Sequence, residues 1–263
     1  ANGHIYYQST EDGPLTRNVY RIGLDGKGKT KLSKNQGQNG ATFSKGFKYF
    51  INTHTDANTP ATITLHDSKG KEIRVLESND ALKSALKAVN APKKEFFSFN
   101  TGKAELNGWM IKPANFSDKK KYPVFMYVYG GPGSNTVGDS WGGANQLWYM
   151  HLTELGYIVV SVDNRGTGSR GREFKHITYK ELGKLETEDQ IAAAEYLMAQ
   201  PYVDASSGKL IVTVTTPVFD NGKLLGVVGG DLQIEILGDL VRSLDLGGIG
   251  YAFLVNDAGV VLI

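Results

Sequence analysis

PVFMYVYGGPGS (residues 123–134) and YIVVSVDNRG (residues 157–166) decide the fold. Each opens on a continuous run of β-branched and aromatic residues and closes on glycine, the pattern of a strand buried on both faces. Between them GANQLWYMHLTELG (143–156) reads as helical. After them ETEDQIAAAEYLMAQ (186–200) opens with acids at the positive end of a helix dipole and continues as an amphipathic helix. Strand, helix, strand, helix is the α/β rhythm. Just upstream, EFFSFN (95–100) and AELNGWMIKP (104–113) read as further strands of this region, with NFSDKKKY (115–122) as a polar linker.

Toward the N-terminus the pattern changes. HIYYQST, NVYRIGL, ATFSKG, KYFINTHT, TPATITLHD and IRVLES, all within residues 1–79, are short β-rich runs separated by turn residues. Such spacing predicts a sandwich, a barrel or part of a propeller, and no second copy of the pattern follows it. NDALKSALKAVN (79–90) predicts a helix capped by Asn79 and stopped before Pro92. Toward the C-terminus, GKLIVTVTTPVF (208–219) alternates, with Leu210, Val212, Val214 and Val218 on one face. Asn221-Gly222 predicts a hairpin turn, LLGVVGGD (224–231) its return strand, and a short helix is expected over about 234–244. The fold expected is therefore mixed α/β: propeller-like β strands over 1–79, an α/β region over 80–204, and an antiparallel sheet with a helix over 205–263.

With 263 residues the chain has room for one large or two ordinary domains. Hydrophobic residues make up 40% and charged residues 21%, which excludes a disordered polymer, and no apolar run reaches the roughly 20 residues of a spanning helix. Net charge is +2, and no basic cluster is interleaved with aromatics, so nucleic acid is not an expected partner. Residues 205–263 hold three basic and six acidic side chains, a net of −3, against +5 for the rest. The absence of cysteine removes disulfides, thiolate metal sites and cysteine nucleophiles. The first residues, ANGHIYY, have no basic stretch leading to an apolar core, which is expected of a chain whose signal peptide has been removed. His4, His54, His66, His151 and His176 are scattered and are expected at the surface or in turns, so neither a metal site nor a cofactor is expected. Gly166, Gly168 and Gly171 fit G-x-G-x-x-G, but no helix is expected to begin there, and a turn is the preferred reading.

VYGGPGS (128–134), VDNRGTGSRG (162–171), LGKLETEDQ (182–190) and PYVDAS (201–206), in that order, resemble the opening of the hydrolase domain in dipeptidyl peptidase IV-type members of the prolyl oligopeptidase family. Residues 1–79 are similar to the end of that family's β-propeller. The resemblance implies an incomplete α/β-hydrolase sheet and release of dipeptides from peptide N-termini, with proline preferred in second place. It implies a Ser, Asp and His triad assisted by a tyrosine hydroxyl in the oxyanion hole, and Tyr129 holds the tyrosine's position. Independently, Tyr129 stands at the carboxyl end of an expected buried strand, where α/β sheets place their sites. A phenol is protonated at neutral pH and can donate to a developing alkoxide. The alternative for Tyr129 is packing against the Gly130-Gly131-Pro132 turn. The nucleophile of this fold sits in G-x-S-x-G on a tight strand-to-helix turn; the spacing occurs once in the 263 residues, at GDSWG (138–142), which does not directly follow an expected strand, and Ser134 in GPGSN and Ser169 in GTGSRG lack glycines at both required distances. The expectation is of no peptidase activity.

PYVDASSGKLIVTVTTPVFDNGKLLGVVGGDLQIEIL (201–237) resembles the membrane-distal part of double Cache sensor domains, extracytoplasmic ligand-binding modules of bacterial chemoreceptors, and the resemblance covers roughly residues 201–263. That resemblance implies that Tyr202, Asp204 and Asp231 hold the α-amino group of a free amino acid. The alternative is that Asp204 caps a turn and Asp231 caps the following helix. Both ends of the chain are expected to stop within a domain, and the two resemblances are expected to meet within 201–206, giving a composite placed outside the cytoplasm. Its expected partners are peptide N-termini or a free amino acid.

Overall fold

The computed structural model describes residues 3–200, 211–220 and 223–233, and the chain packs as two compact units, Ala1–Asp204 and Ala205–Ile263. In the first unit, β1 (His4–Ser9), β2 (Asn18–Gly23) and β3 (Thr30–Lys31) form an antiparallel three-stranded sheet. β4 (Gln38–Phe43), β5 (Tyr49–Asp56), β6 (Thr59–Asp67) and β7 (Glu72–Glu77) form a four-stranded antiparallel meander. Alternation along β5 sends Phe50 and Asn52 inward and leaves Tyr49 and Ile51 exposed. Val19, Leu32 and Phe50 close a core with Tyr6, Ala41 and Phe43 around it. The N-terminal strands thus make one four-stranded blade and a three-stranded sheet beside it.

The helix α1 (Asp80–Ala88) has no buried residue, and Asn79 does not cap it with its side chain. Asn79 adopts φ 55° instead and donates from Nδ2 to Ala61 O at 2.6 Å, tying the helix start to β6. His66 is a second correction: it is 8% exposed, bonds Thr64 Oγ1 at 2.7 Å through Nε2, and stacks on Phe50. A histidine on an inward position of β6 becomes part of the blade core when its ring nitrogens find partners there.

β8 (Lys94–Asn100), β9 (Glu105–Ile111), β10 (Val124–Met126) and β11 (Ile158–Asp163) form a mixed sheet in the order β10-β11-β9-β8. β10 and β11 are parallel, and α2 (Ala144–Glu154) connects them. α3 (Gly171–His176) and α4 (Lys184–Met198) follow. β11 is buried along its whole length. Ile158, Val160 and Val162 face Ala193 and Leu197 of α4, while Val159 joins Trp109, Tyr149 and Leu152 on the α2 side. A strand covered by a helix on each face must be apolar on both, which is why its sequence does not alternate.

Two expectations for this region are corrected. β10 is three residues long and half-buried, and Tyr127, Val128 and Tyr129 beyond it are exposed. Among the described strands β10 pairs with β11 alone, so its other edge lacks the cover that would bury it. A short helix, α3, does begin at Gly171, where the glycine spacing favours a turn. In the second unit β12 (Ile211–Asp220) and β13 (Lys223–Gln233) pair antiparallel, Asp220 opposite Lys223, as the Asn-Gly signal requires. The helix expected at 234–244 lies outside the described residues.

The blade meets the mixed sheet through the β5–β6 turn. Ala57 N donates to Asp139 Oδ1 at 2.8 Å, and Ala57 O accepts from the fully buried Gln146 Nε2 at 2.8 Å. Asn58 and Lys94 exchange two hydrogen bonds, and Trp141 N donates to Thr55 Oγ1. The Lys94 ammonium is buried over the Trp109 ring, with one hydrogen bond to Ser140 O at 3.2 Å. Burial pulls its pKa down to about 8, against the nearby Asp139 charge. Between about pH 8 and the ordinary lysine value near 10.5, the unfolded chain binds the extra proton and the folded chain does not. Stability therefore rises with pH through that window, by roughly 3 kcal/mol if the whole shift is expressed. Denaturant unfolding between pH 8 and 10 is expected to show the rise in the unaltered protein and to lose it in Lys94→Met.

Candidate functional site

The site lies at the carboxyl ends of β10 and β11, where two loops meet. Three consecutive residues leaving β11 each hold a different segment. Asp163 accepts from Thr136 N at 2.7 Å and Val137 N at 3.0 Å, and from the Thr136 hydroxyl at 2.8 Å. Burial raises its pKa, and these bonds oppose that rise. Asn164 donates from Nδ2 to Gly130 O at 3.1 Å and accepts from Gln190 Nε2 at 2.9 Å. Arg165 pairs with Asp189 of α4: its backbone N–H, Nε and Nη2 all reach that carboxylate at 2.7–3.0 Å. Asp189 raises the Arg165 pKa, so the guanidinium stays charged although it is buried. Glu188, which Lys103 holds below the ordinary carboxylate range, adds a second contact at 3.3 Å.

These anchors fix the loop that follows β10. Tyr129 stands three residues past Met126 and is 56% exposed, with its ring against Gly131. No hydrogen bond to its hydroxyl is found among the described residues. The ring therefore packs on the Gly130-Gly131-Pro132 turn while the residue as a whole stays exposed. Gly130 has φ 73°, and a Cβ there would lie 3.3 Å from Asn164 Oδ1, so the turn needs glycine for its backbone and has little room for more. The second loop is stitched to the first by Gly168 N, which donates to Ser134 O at 3.0 Å.

Ser134, Ser169 and Ser140, the serine of the GDSWG spacing, all lie within loops and not on a strand-to-helix turn that would mount a nucleophile. Ser134 gives its carbonyl to the loop contact just described, and the Ser169 hydroxyl is taken up by Arg17 and Asn135. His54 Nε2 lies 2.6 Å from Gln36 O, and His151 lies beside Glu154. Tyr202 and Asp204 lie outside the described residues. Asp231 sits in β13 opposite Thr213, two residues before the strand ends. Among the described residues no group of three or more His, Cys, Asp or Glu could hold a metal ion, and no helix is long and apolar enough to cross a membrane.

The sequence reading missed the Arg165–Asp189 pair, the Asn164–Gly130 bond and the role of Arg17. Arg165, Asn164 and Asp189 all lie within motifs quoted for the family resemblance, but nothing in a separation of 24 positions says that an arginine and an aspartate will meet.

A blade followed by a mixed sheet covered by helices, with its site at the parallel strand ends, defines the class: the end of a β-propeller leading into an α/β-hydrolase-like domain. Residues 1–61 match the dipeptidyl peptidase IV N-terminal region, and residues 143–210 match the prolyl oligopeptidase family. Both matches begin within the first unit. A probable dipeptidyl-aminopeptidase B of Botryotinia fuckeliana is 35% identical over 209 residues, covering 78% of this chain and 22% of that protein. A probable dipeptidyl peptidase 4 of Trichophyton verrucosum is 38% identical over 206 residues, covering 76% and 27%. The crystal structure of Porphyromonas gingivalis dipeptidyl peptidase 4 is 46% identical with a TM-score of 0.74, covering 78% of this chain and 29% of that one. The chain therefore spans about a quarter of the length of the relatives it matches.

Gly130→Ala is expected to cost about 1–2 kcal/mol, the penalty for a left-handed alanine. It should also free the Asn164 amide, seen as faster exchange of the Gly130 and Gly131 amides with the β11 amides unchanged.

Proposed function

We propose that residues 1–204 are the propeller end and first hydrolase strands of a dipeptidyl peptidase IV-type exopeptidase, and that the substrates of that machinery are peptide N-termini. The observation that carries the reading is the exposed Tyr129 hydroxyl at the carboxyl end of a parallel strand, on a loop anchored from three sides. There a protonated phenol can donate to the oxyanion of an acyl-transfer intermediate. The reading includes catalytic silence of these 263 residues, because their one G-x-S-x-G spacing, GDSWG (138–142), lies within the loop between β10 and α2 and not on the tight strand-to-helix turn that presents a nucleophile beside its oxyanion-hole amide. Oxyanion and binding contributions alone leave only residual catalysis.

A second reading concerns the C-terminal unit. A separate unit of the fold starts at Ala205, and the match to the prolyl oligopeptidase family ends at residue 210. We propose that this unit is part of a Cache-type sensor, in which Asp231 takes the ammonium of a free amino acid. An ammonium leaving water needs carboxylates and an oxygen acceptor to replace its hydration. Both parents of such a composite act outside the cytoplasm, which is where we place it.

Incubation with a glycyl-prolyl chromogenic amide is expected to release no chromophore above a blank. Turnover abolished by a serine-directed inhibitor would contradict the silence. For the second reading, a panel of free amino acids should raise the melting temperature of the unaltered chain and leave Asp231→Ala unmoved, and a flat panel would remove it.

A further inference from the structure

Arg17 lies on the segment between β1 and β2, yet its side chain reaches both loops of the α/β site. Its Nη1 donates to Pro14 O at 3.1 Å and Thr16 O at 2.8 Å; its Nη2 donates to Asn135 Oδ1 at 3.3 Å and to the Ser169 hydroxyl. Asn135 belongs to the loop after β10, and Ser169, at φ 74°, to the loop after β11. Ser169 Oγ in turn donates to Asn135 Oδ1 at 3.3 Å, so the three side chains form one ring of bonds.

Among the described residues no carboxylate lies within ion-pair reach of this guanidinium, and burial draws its pKa down. A half-buried cation satisfied only by neutral oxygens is a costly way to hold a segment unless the holding itself is the use. Nor is the mount loose. The Arg17 backbone donates to Gly37 O at 3.1 Å and accepts from Asn39 N at 2.8 Å and Asn39 Nδ2 at 3.3 Å. Behind it runs a buried ladder: Asn39 Nδ2 donates to Asn18 Oδ1, Asn52 Nδ2 to Asn39 Oδ1, and Ser33 Oγ to Asn18 Oδ1. These amides cross β2, β4 and β5, so the guanidinium projects from a platform locked inside the blade.

We propose that Arg17 is a positioning residue, a clamp by which the blade sets the loop bearing Tyr129 against the loop after β11. Two acceptors on the blade side and two on the loop side match the planar fork of arginine, and the single ammonium of lysine cannot span them. The inference rests on the oxyanion reading of Tyr129 for its catalytic meaning, though the clamp itself is a statement about the two loops. Its consequence is that a change at the blade is felt at Tyr129 through one side chain.

The test uses the whole chain with 3-fluorotyrosine at position 129, observed by fluorine NMR beside amide exchange. In Arg17→Lys and Arg17→Met, exchange at 130–136 and 166–170 is expected to rise about tenfold, with 158–163 unchanged, and the fluorine line to shift or split. Asn135→Ala combined with Ser169→Ala, which leaves the blade side intact, is expected to give the same signature. Arg21→Met removes a guanidinium that bonds Ser68 within the blade, and it should leave both readouts alone. Arg17→Lys behaving as the unaltered protein, or exchange rising equally along β11, would overturn the clamp. Both readouts are independent of peptide turnover, so the clamp stands or falls separately from the peptidase reading.

Discussion

The pairing of Arg165 with Asp189 is the constraint on which the rest of the α/β part depends. A buried guanidinium is tolerable only when its charge is neutralised and its donors are filled, and Asp189 does both with Nε, Nη2 and the backbone N–H of the same residue. The pair ties α4 to the carboxyl end of β11. With that end fixed, the two residues before Arg165 are held in place to reach elsewhere, Asp163 to residues 136–137 and Asn164 to Gly130. The loop carrying Tyr129 is shaped from behind, through the end of β11 and the helix that pins it.

The blade supplies a second set of restraints, and both rely on buried polar groups rather than on apolar area. At the β5–β6 turn, Ala57 enters a socket whose walls are Asp139 and Gln146. At Arg17, a cation is presented by a ladder of asparagines. Polar junctions of this kind specify register, because their donors and acceptors meet in one arrangement and a shifted pairing strands several of them.

Much of the architecture was legible because it rests on periodicity. The unbroken apolar run of β11 announced a strand covered on both faces, and the alternation of residues 208–219 with Asn221-Gly222 announced a hairpin. The misreadings share a cause. PVFMYVYGG reads as apolar as β11, yet burial belongs to neighbours, and β10 has a partner on one side only among the described strands. Asn79 has the chemistry of a cap but commits its amide to Ala61. His66 looked like a surface residue because a histidine's burial depends on partners for both ring nitrogens, here Thr64 and Gly70, which sequence spacing does not display. At the site, the sequence placed Tyr129 at a strand end, whereas β10 stops at Met126, and the side chains that hold its loop and the end of β11 come from residues 17, 163, 164, 165, 189 and 190, which no local pattern joins.

The Tyr129 loop is held through Arg165 and Asp189, so the most direct measurement removes one partner and watches the loop. Urea unfolding of Asp189→Ala should show a loss of about 3–5 kcal/mol, the usual consequence of leaving a buried charge alone. Amide exchange at 130–137 should accelerate together with that at 163–167. A loss below about 1 kcal/mol, or a Tyr129 loop whose amides exchange as before, would contradict the claim.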